Sequence, residues 1–215
     1  MHRGIRAVLI LVFALGTTAV FAQEDFSADI VNNKADGNGN QNKAKIYVTK
    51  SKWRIEGLGE GRMGGGAIIT NLSTGMSNIL IPDRKMYMEF PQGKGPAGQR
   101  MWSFFQARDI DNACSDWLSL PNNKGGTCKK IGSDTVNGRS TVKYEGTNSN
   151  GESGTVWFDK KIAFPIKWEG KNGGGELENI KEGSQPSSLF EIPSDYQKFQ
   201  MPAGMNMPNT PQRPN

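Results

Sequence analysis

From Phe26 onward the chain is a succession of short stretches in which apolar and polar residues alternate, each soon cut off by Gly, Asn, Asp, Pro or Ser. A period of two sends successive side chains to opposite faces of a strand, and turns this frequent leave little room for long helices. Phe26, Ala28 and Ile30 alternate first; Ile46 and Val48 follow the turn-rich ADGNGNQ, and Trp53 and Ile55 follow Ser51-Lys52. AIITN and MSNILIP come next, then KMYMEF after Pro82-Asp83-Arg84. In that last segment Met86, Met88 and Phe90 share one face, while Tyr87 and Glu89 share the other. The 27 glycines suit a sheet with many tight turns better than a helical bundle.

After Gly98 the alternation stops. Met101, Phe104, Phe105 and Arg108 recur at helical spacing, and Asn112 to Leu118 reads as a second short helix before Pro121, so one or two helices pack on the sheet. Strands then resume. Asn137-Gly138 joins KKIGSDTV to RSTVKYEG as a two-residue hairpin turn, because both central positions of such a turn need positive φ. GTVWFD, IAFPIKWEG and ELENIK follow, with Ile162, Phe164, Ile166 and Trp168 on one face and Pro165 marking an edge or a bulge. The expected fold is mainly β with a small α component (α+β): a curved antiparallel sheet of about eleven strands, enough to demand strong curvature or closure. The glycine-rich LGEGRMGGG is a loop, and it is not a phosphate loop, since no Gly-Lys-Ser/Thr ending follows.

Residues 1–22, MHRGIRAVLILVFALGTTAVFA, have the basic start, apolar stretch and small residues before Gln23 of a cleaved secretory signal. The expectation is therefore an exported chain, periplasmic or secreted, with one domain over 23–200 and a disordered Pro/Met-rich tail over 201–215. The single histidine, His2, lies in the segment removed, which excludes Ser-His-Asp and Cys-His sites and His-ligated zinc from the mature chain. No metal site and no cofactor are expected. Loss of Arg3 and Arg6 leaves a weak positive balance, and the pairs Lys129-Lys130 and Lys160-Lys161 read as solvated turn residues rather than a nucleic-acid surface. Cys114 and Cys128 form an even pair in an exported chain, which reads as a structural disulfide, with free or intermolecular thiols as the alternative.

The order Cys114, Thr127-Cys128-Lys129-Lys130, Val136-Asn137-Gly138-Arg139, Val156-Trp157-Phe158-Asp159, Phe164-Pro165-Ile166-Lys167 and Leu189-Phe190-Glu191-Ile192-Pro193 resembles an uncharacterised family of secreted bacterial proteins. That family is similar to the Lol-type (LolA/LolB-like) superfamily of periplasmic lipoprotein carriers and receptors. The phrase Trp-x-Asp … Pro-x-Lys across two adjacent strands is its most recognisable part. The resemblance implies an antiparallel half-barrel with helices over its open side and an apolar cavity between them that receives acyl chains. It implies no catalytic centre.

The function expected on these grounds is that of an exported, non-enzymatic binding protein sheltering an apolar ligand, such as a lipid or a lipoprotein acyl chain. Burial at about 25 cal/mol per Å² holds such a chain without many specific polar contacts. Candidate lining residues come from four regions: Ile46, Val48, Trp53 and Ile55; Met86, Met88 and Phe90; Met101, Phe104 and Phe105; and Val156, Phe158, Phe164 and Ile166. Each is equally suited to a sealed core, for methionine fills irregular apolar space as readily as it meets ligands. The alternative function is a cell-envelope interaction or sensor module that binds a protein partner through the same fold. Carboxylate pairs such as Asp109 with Asp111, or Asp159 with Glu169, would suit a hydrolase, but the first pair reads as helix-start residues and acids near strand ends are ordinarily solvated.

The last strong apolar anchors are Phe190, Ile192, Tyr196 and Phe199. Truncation before Ala203 is therefore expected to leave the melting temperature nearly unchanged; a large drop in thermal unfolding would show that the tail is docked.

Overall fold

The computed structural model describes residues 24–35, 41–57, 66–91, 109–120, 123–171 and 173–199. The expected signal segment 1–22, the glycine-rich stretch 58–65, the first expected helix over 101–108 and the expected tail 201–215 lie outside the described residues. The strands are β1 (Phe26–Ala35), β2 (Gln41–Val48), β3 (Lys52–Glu56), β4 (Ala67–Asn71), β5 (Met76–Ile81) and β6 (Met86–Pro91). After helix α1 (Ala113–Ser119) come β7 (Thr127–Val136), β8 (Arg139–Thr147), β9 (Ser153–Asp159), β10 (Phe164–Gly170), β11 (Gly173–Glu182) and β12 (Gln197–Lys198).

All twelve belong to one curved sheet in the order β12-β6-β5-β4-β3-β2-β1-β11-β10-β9-β8-β7, open rather than closed into a barrel. The count exceeds the eleven expected by β12, whose two residues run parallel to β6 through Gln197 opposite Met86 and Lys198 opposite Tyr87. Two polar residues carry no alternation, so nothing in their sequence marks them as a strand. Every other pairing is antiparallel. Antiparallel neighbours need nothing longer than a hairpin between them, which the short Gly/Asn turns supply. Asn137 and Gly138 have φ of 48° and 76°, as the β7–β8 turn requires.

The alternation sorts side chains as expected across β1 to β6. Ile46, Ile55, Ile68 and Ile79 face each other in register through β2, β3, β4 and β5, and all are buried in the main apolar cluster. That cluster also takes in Phe26, Ile30, Leu177, Phe164, Trp157 and Val136, so it runs on to the last strand of the sheet. On the opposite face of β4 and β5, Ala67, Ile69 and Leu80 are covered by Phe190, with Leu189, Ile192 and Tyr196 packed beside it. The short helical turn Ser187–Phe190 thus makes the C-terminal segment a lid on that face, and Arg54 clasps it by donating to the Leu189 carbonyl at 2.9 Å.

A second cluster forms under α1, where Ile110 and Ala113 meet Val142, Tyr144, Val156 and Phe158 of β8 and β9. Burial pushes the Tyr144 phenol's pKa up, and its hydroxyl donates to the Ile110 carbonyl at 2.7 Å. Asp109 accepts the Asp111 N–H at 2.9 Å in the turn leading into α1, but neither acid caps the helix: Asn112 is the N-cap residue, and the Asp111 carboxylate pairs with Lys130 at 2.8 Å. Cys114 of α1 and Cys128 of β7 are disulfide-bonded with Cα atoms 5.4 Å apart.

Removing the bridge as Cys114→Ser/Cys128→Ser is expected to cost about 3 kcal/mol, the chain-entropy value for a loop of this size. Urea unfolding of the variant against the parent measures it. A loss near zero would mean that Ala113 and Tyr144 hold the helix without the bridge.

Candidate functional site

The expected lining residues fall into three groups. Ile46, Val48, Trp53, Ile55, Phe164 and Ile166 are buried in the main cluster, all at 3 % exposure or less. Met88 and Phe90 pack against that cluster but remain half-buried, as does Met86, which lies opposite Ile81. Val156 and Phe158 sit in the second cluster under α1. Met101, Phe104 and Phe105 lie outside the described residues. The apolar face is therefore sealed through β1, β2 and β3 and less completely covered at β6. Register explains the shared face: Phe90 opposes Ser77 and Met88 opposes Ile79, each continuing a row that begins in the core, while Met86 opposes the partly buried Ile81 at the end of the ladder.

On β9 both faces are apolar, so alternation alone does not say which side belongs to which cluster. Val156 and Phe158 go to the helix side, and Trp157 goes to the main cluster. Its indole N–H donates to Asp134 Oδ2 at 2.9 Å, and the Lys143 and Lys167 ammonium groups lie 5.1 and 4.8 Å from its ring. The two lysines flank Trp157 in register from β8 and β10. Hydrogen bonding from Trp157, then from the Thr135 N–H, holds the Asp134 carboxyl below the usual carboxylate range.

Asp159 differs from the expectation of a solvated strand-end acid, for it is 1 % exposed. Its Oδ1 accepts the N–H groups of Lys161 and Ile162 at 2.7 and 2.9 Å, closing the turn from β9 into β10. Arg139 Nε donates to the other oxygen, and Arg139 Nη2 reaches on to Glu182 Oε1 at 2.8 Å. Lys161 also pairs with Glu182, so four charged side chains form one chain of ion pairs. The bonds from Lys161 and Arg139 hold the Glu182 carboxyl below its ordinary range, and Asp159 raises the Arg139 guanidinium further. Among the described residues no group of three or more carboxylates, cysteines or histidines is placed to hold a metal ion.

The Trp-x-Asp … Pro-x-Lys phrase thus acquires a structural meaning. Trp157 and Lys167 stack, Asp159 pins the turn, and Pro165 stands beside the bulge at which the β9–β10 register slips between Pro165 and Lys167. β10 is a central strand, but at Pro165 it is paired only with β9, because its ladder with β11 stops at Lys167; Pro165 therefore sits both beside a bulge and on a locally unpaired strand side. Glu182 and Asp134 were not singled out from sequence, and Arg139 entered only as the last residue of the run Val136-Asn137-Gly138-Arg139. Only the turn Asn137-Gly138, which sets Arg139 as the first residue of β8, gives a local signal for any of them.

No protein-family model and no curated protein sequence matches the chain. Among solved structures it is similar to an uncharacterized conserved protein from Thermus thermophilus, at 11 % identity and a TM-score of 0.52, covering 82 % of this chain and 90 % of that one. At that identity the likeness shows the fold. Looser likenesses include MucB in the MucA/MucB complex of Pseudomonas aeruginosa, at 13 % identity and a TM-score of 0.48, covering 86 % of this chain and 64 % of that one. Another is the LolA superfamily protein NE2245 from Nitrosomonas europaea, at 10 % identity and a TM-score of 0.34, covering 80 % and 91 %.

Trp157→Phe keeps an aromatic ring between the two lysines and removes the indole donor. The Asp134 titration midpoint, read by carboxyl-carbon NMR, is expected to rise toward the ordinary value. A carboxyl held low in the fold stabilises it above the ordinary carboxylate range and loses that contribution as pH falls through the folded-state value. The part of the stability gap between parent and variant that comes from Asp134 should therefore shrink as pH drops through and below the carboxylate range. An unmoved midpoint would reject the Trp157 bond as the cause.

Proposed function

We propose that this chain is an exported, non-enzymatic binding protein that shelters an apolar ligand, a lipid or the acyl chain of a lipoprotein, against the apolar face of its sheet at the β5–β6 end. One observation carries the reading. Met88 and Phe90 continue rows of buried residues, with Ile79 at 0 % exposure opposite Met88 and Ser77 at 2 % opposite Phe90, yet they and the neighbouring Met86 are themselves half-buried. Two unbranched thioethers and a phenyl ring make an adaptable apolar surface, suited to a chain of variable length. The strands β1, β2 and β3 supply the sealed support behind it rather than the wall itself.

Export, which this reading requires, is supported by the signal-like N-terminus, and the Cys114–Cys128 bridge belongs to an oxidising compartment. No described helix is long and apolar enough to cross a membrane. The resemblance to Lol-type carriers supports acyl chains as the ligand class. The other reading, an envelope module that binds a protein partner, is favoured by a different part of the sheet, where the ladder between β10 and β11 stops short.

Met88→Trp separates an open ledge from a closed core. On the proposed reading it blocks uptake of a fluorescent fatty acid by delipidated protein while the melting temperature changes little, since the added ring occupies ligand space. If Met88 is sealed, overpacking costs about 1 to 3 kcal/mol and the parent takes up no probe. Thermal unfolding and probe uptake on the same two proteins decide it.

A further inference from the structure

β10 and β11 leave their hairpin as paired strands, with Gly170 opposite Gly173 and Lys167 opposite Glu176, and there the ladder ends. Both strands continue. β11 runs on to Glu182 beside β1, and β10 reaches back to Phe164 beside β9, so the sheet is split along this line among the described residues. The causes lie in the sequence. Pro165 has no N–H to offer, and the β9–β10 register slips at Ile166. On the facing strand Asn179 has a left-handed φ of 51° where the register with β1 shifts between Ser27 and Asp29. Two irregularities on neighbouring strands bend them apart, and Arg139 spans the far end by bonding both Asp159 and Glu182.

The split opens into a cleft of about 430 Å³, lined by Asn137, Arg139, Ile166 and residues 176–180. Along it, β11 has a neighbour on the β1 side and none in ladder register on the other. A strand presents alternating N–H and C=O groups to such a side, and an extended polypeptide matches that spacing of donors and acceptors. The lining also carries a sign. Glu176 and Glu178 have no ion-pair partner among the described residues, whereas the Arg139 charge is taken up by Asp159 and Glu182. We propose that this cleft receives a short extended segment of a partner protein, rich in lysine or arginine, which pairs with β11 as an added strand. β1, β2, β3 and β4 separate it from the β5–β6 end, so it is a second site and does not depend on the acyl-chain reading.

The test uses isotope-labelled, delipidated full-length protein and the blocked pentapeptide Lys-Val-Lys-Val-Lys, with Glu-Val-Glu-Val-Glu as its charge-reversed control. The expected result is peptide-dependent amide shifts confined to 164–166 and 176–182, with slowed hydrogen exchange in alternate residues of that part of β11. Glu176→Lys/Glu178→Lys, two substitutions on a strand face without ion pairs, is expected to weaken binding by about tenfold or more, as is the acidic control. Retained spectral dispersion checks that the variant is folded. If that variant is unfolded, the acidic control alone carries the charge test. No shifts at millimolar peptide, shifts elsewhere in the sheet, or a smaller loss on charge reversal would overturn the proposal. No acyl ligand enters the titration, so its failure leaves the fatty-acid result standing, and the reverse holds too.

Discussion

A single open sheet with a continuous apolar face has no second sheet to bury it, and most of this structure follows from that constraint. The main cluster draws on β1 to β5 and on β7, β9, β10 and β11, so the sheet covers much of its own face by curving. Sheets of this width curl in any case, because each strand is twisted relative to the next. What curvature leaves uncovered needs other parts of the chain. Phe190 with its neighbours closes the far side of β4 and β5, and α1 closes β8 and β9. At about 25 cal/mol per Å² such caps stabilise chiefly through apolar area, which is why short elements suffice.

Curvature also needs a place where the pairing gives way, and the Asp159 node is built at that place. The turn from β9 into β10 is closed by Asp159, and the same carboxylate holds Arg139, which spans to Glu182 at the end of β11. A carboxylate this buried is tolerable because its oxygens accept two backbone N–H groups and a guanidinium. Breaking such a pair from one side costs about 3 to 5 kcal/mol, since the partner charge is left uncompensated. The ion pairs thus act as a tie across the split, in the role that ladder hydrogen bonds fill elsewhere in the sheet.

Much of this was legible because local rules and the fold agree. Alternation placed Ile46, Ile55 and the two faces of β6, Asn137-Gly138 announced its hairpin, and the cysteine pair announced its bridge. Three features were not legible, each for its own reason. β12 is two polar residues held by backbone pairing, which leaves no side-chain pattern. Val156, Trp157 and Phe158 are apolar in succession, so period two does not assign them to clusters; the register with β8 does, by setting Val156 and Phe158 opposite Tyr144 and Val142 of the cluster under α1. Asp159 resembles any strand-end acid, and its burial depends on Arg139, twenty residues away in sequence. Gly175 shows the same limit from the other side: a Cβ there would lie 2.7 Å from the Trp168 ring, a requirement set by the facing strand and invisible in the run Gly173-Gly174-Gly175.

The two places where the sheet is unfinished differ in what could complete them. At β6 two rows of the core end in half-buried Met88 and Phe90, with half-buried Met86 beside them, and such a surface gains from any apolar partner of suitable size, because hydrophobic burial is non-directional. At the β10–β11 split the unfinished feature is the side of β11 without a ladder partner, bordered by Glu176 and Glu178 and interrupted by the left-handed Asn179. Water satisfies the backbone groups on such a side at little cost, so a ligand there must reproduce the hydrogen bonds and add something more, and a matching charge is what the rim offers. The first end therefore favours breadth of ligand and the second favours register and sign. The two kinds of surface lie far enough apart on one sheet to be filled independently.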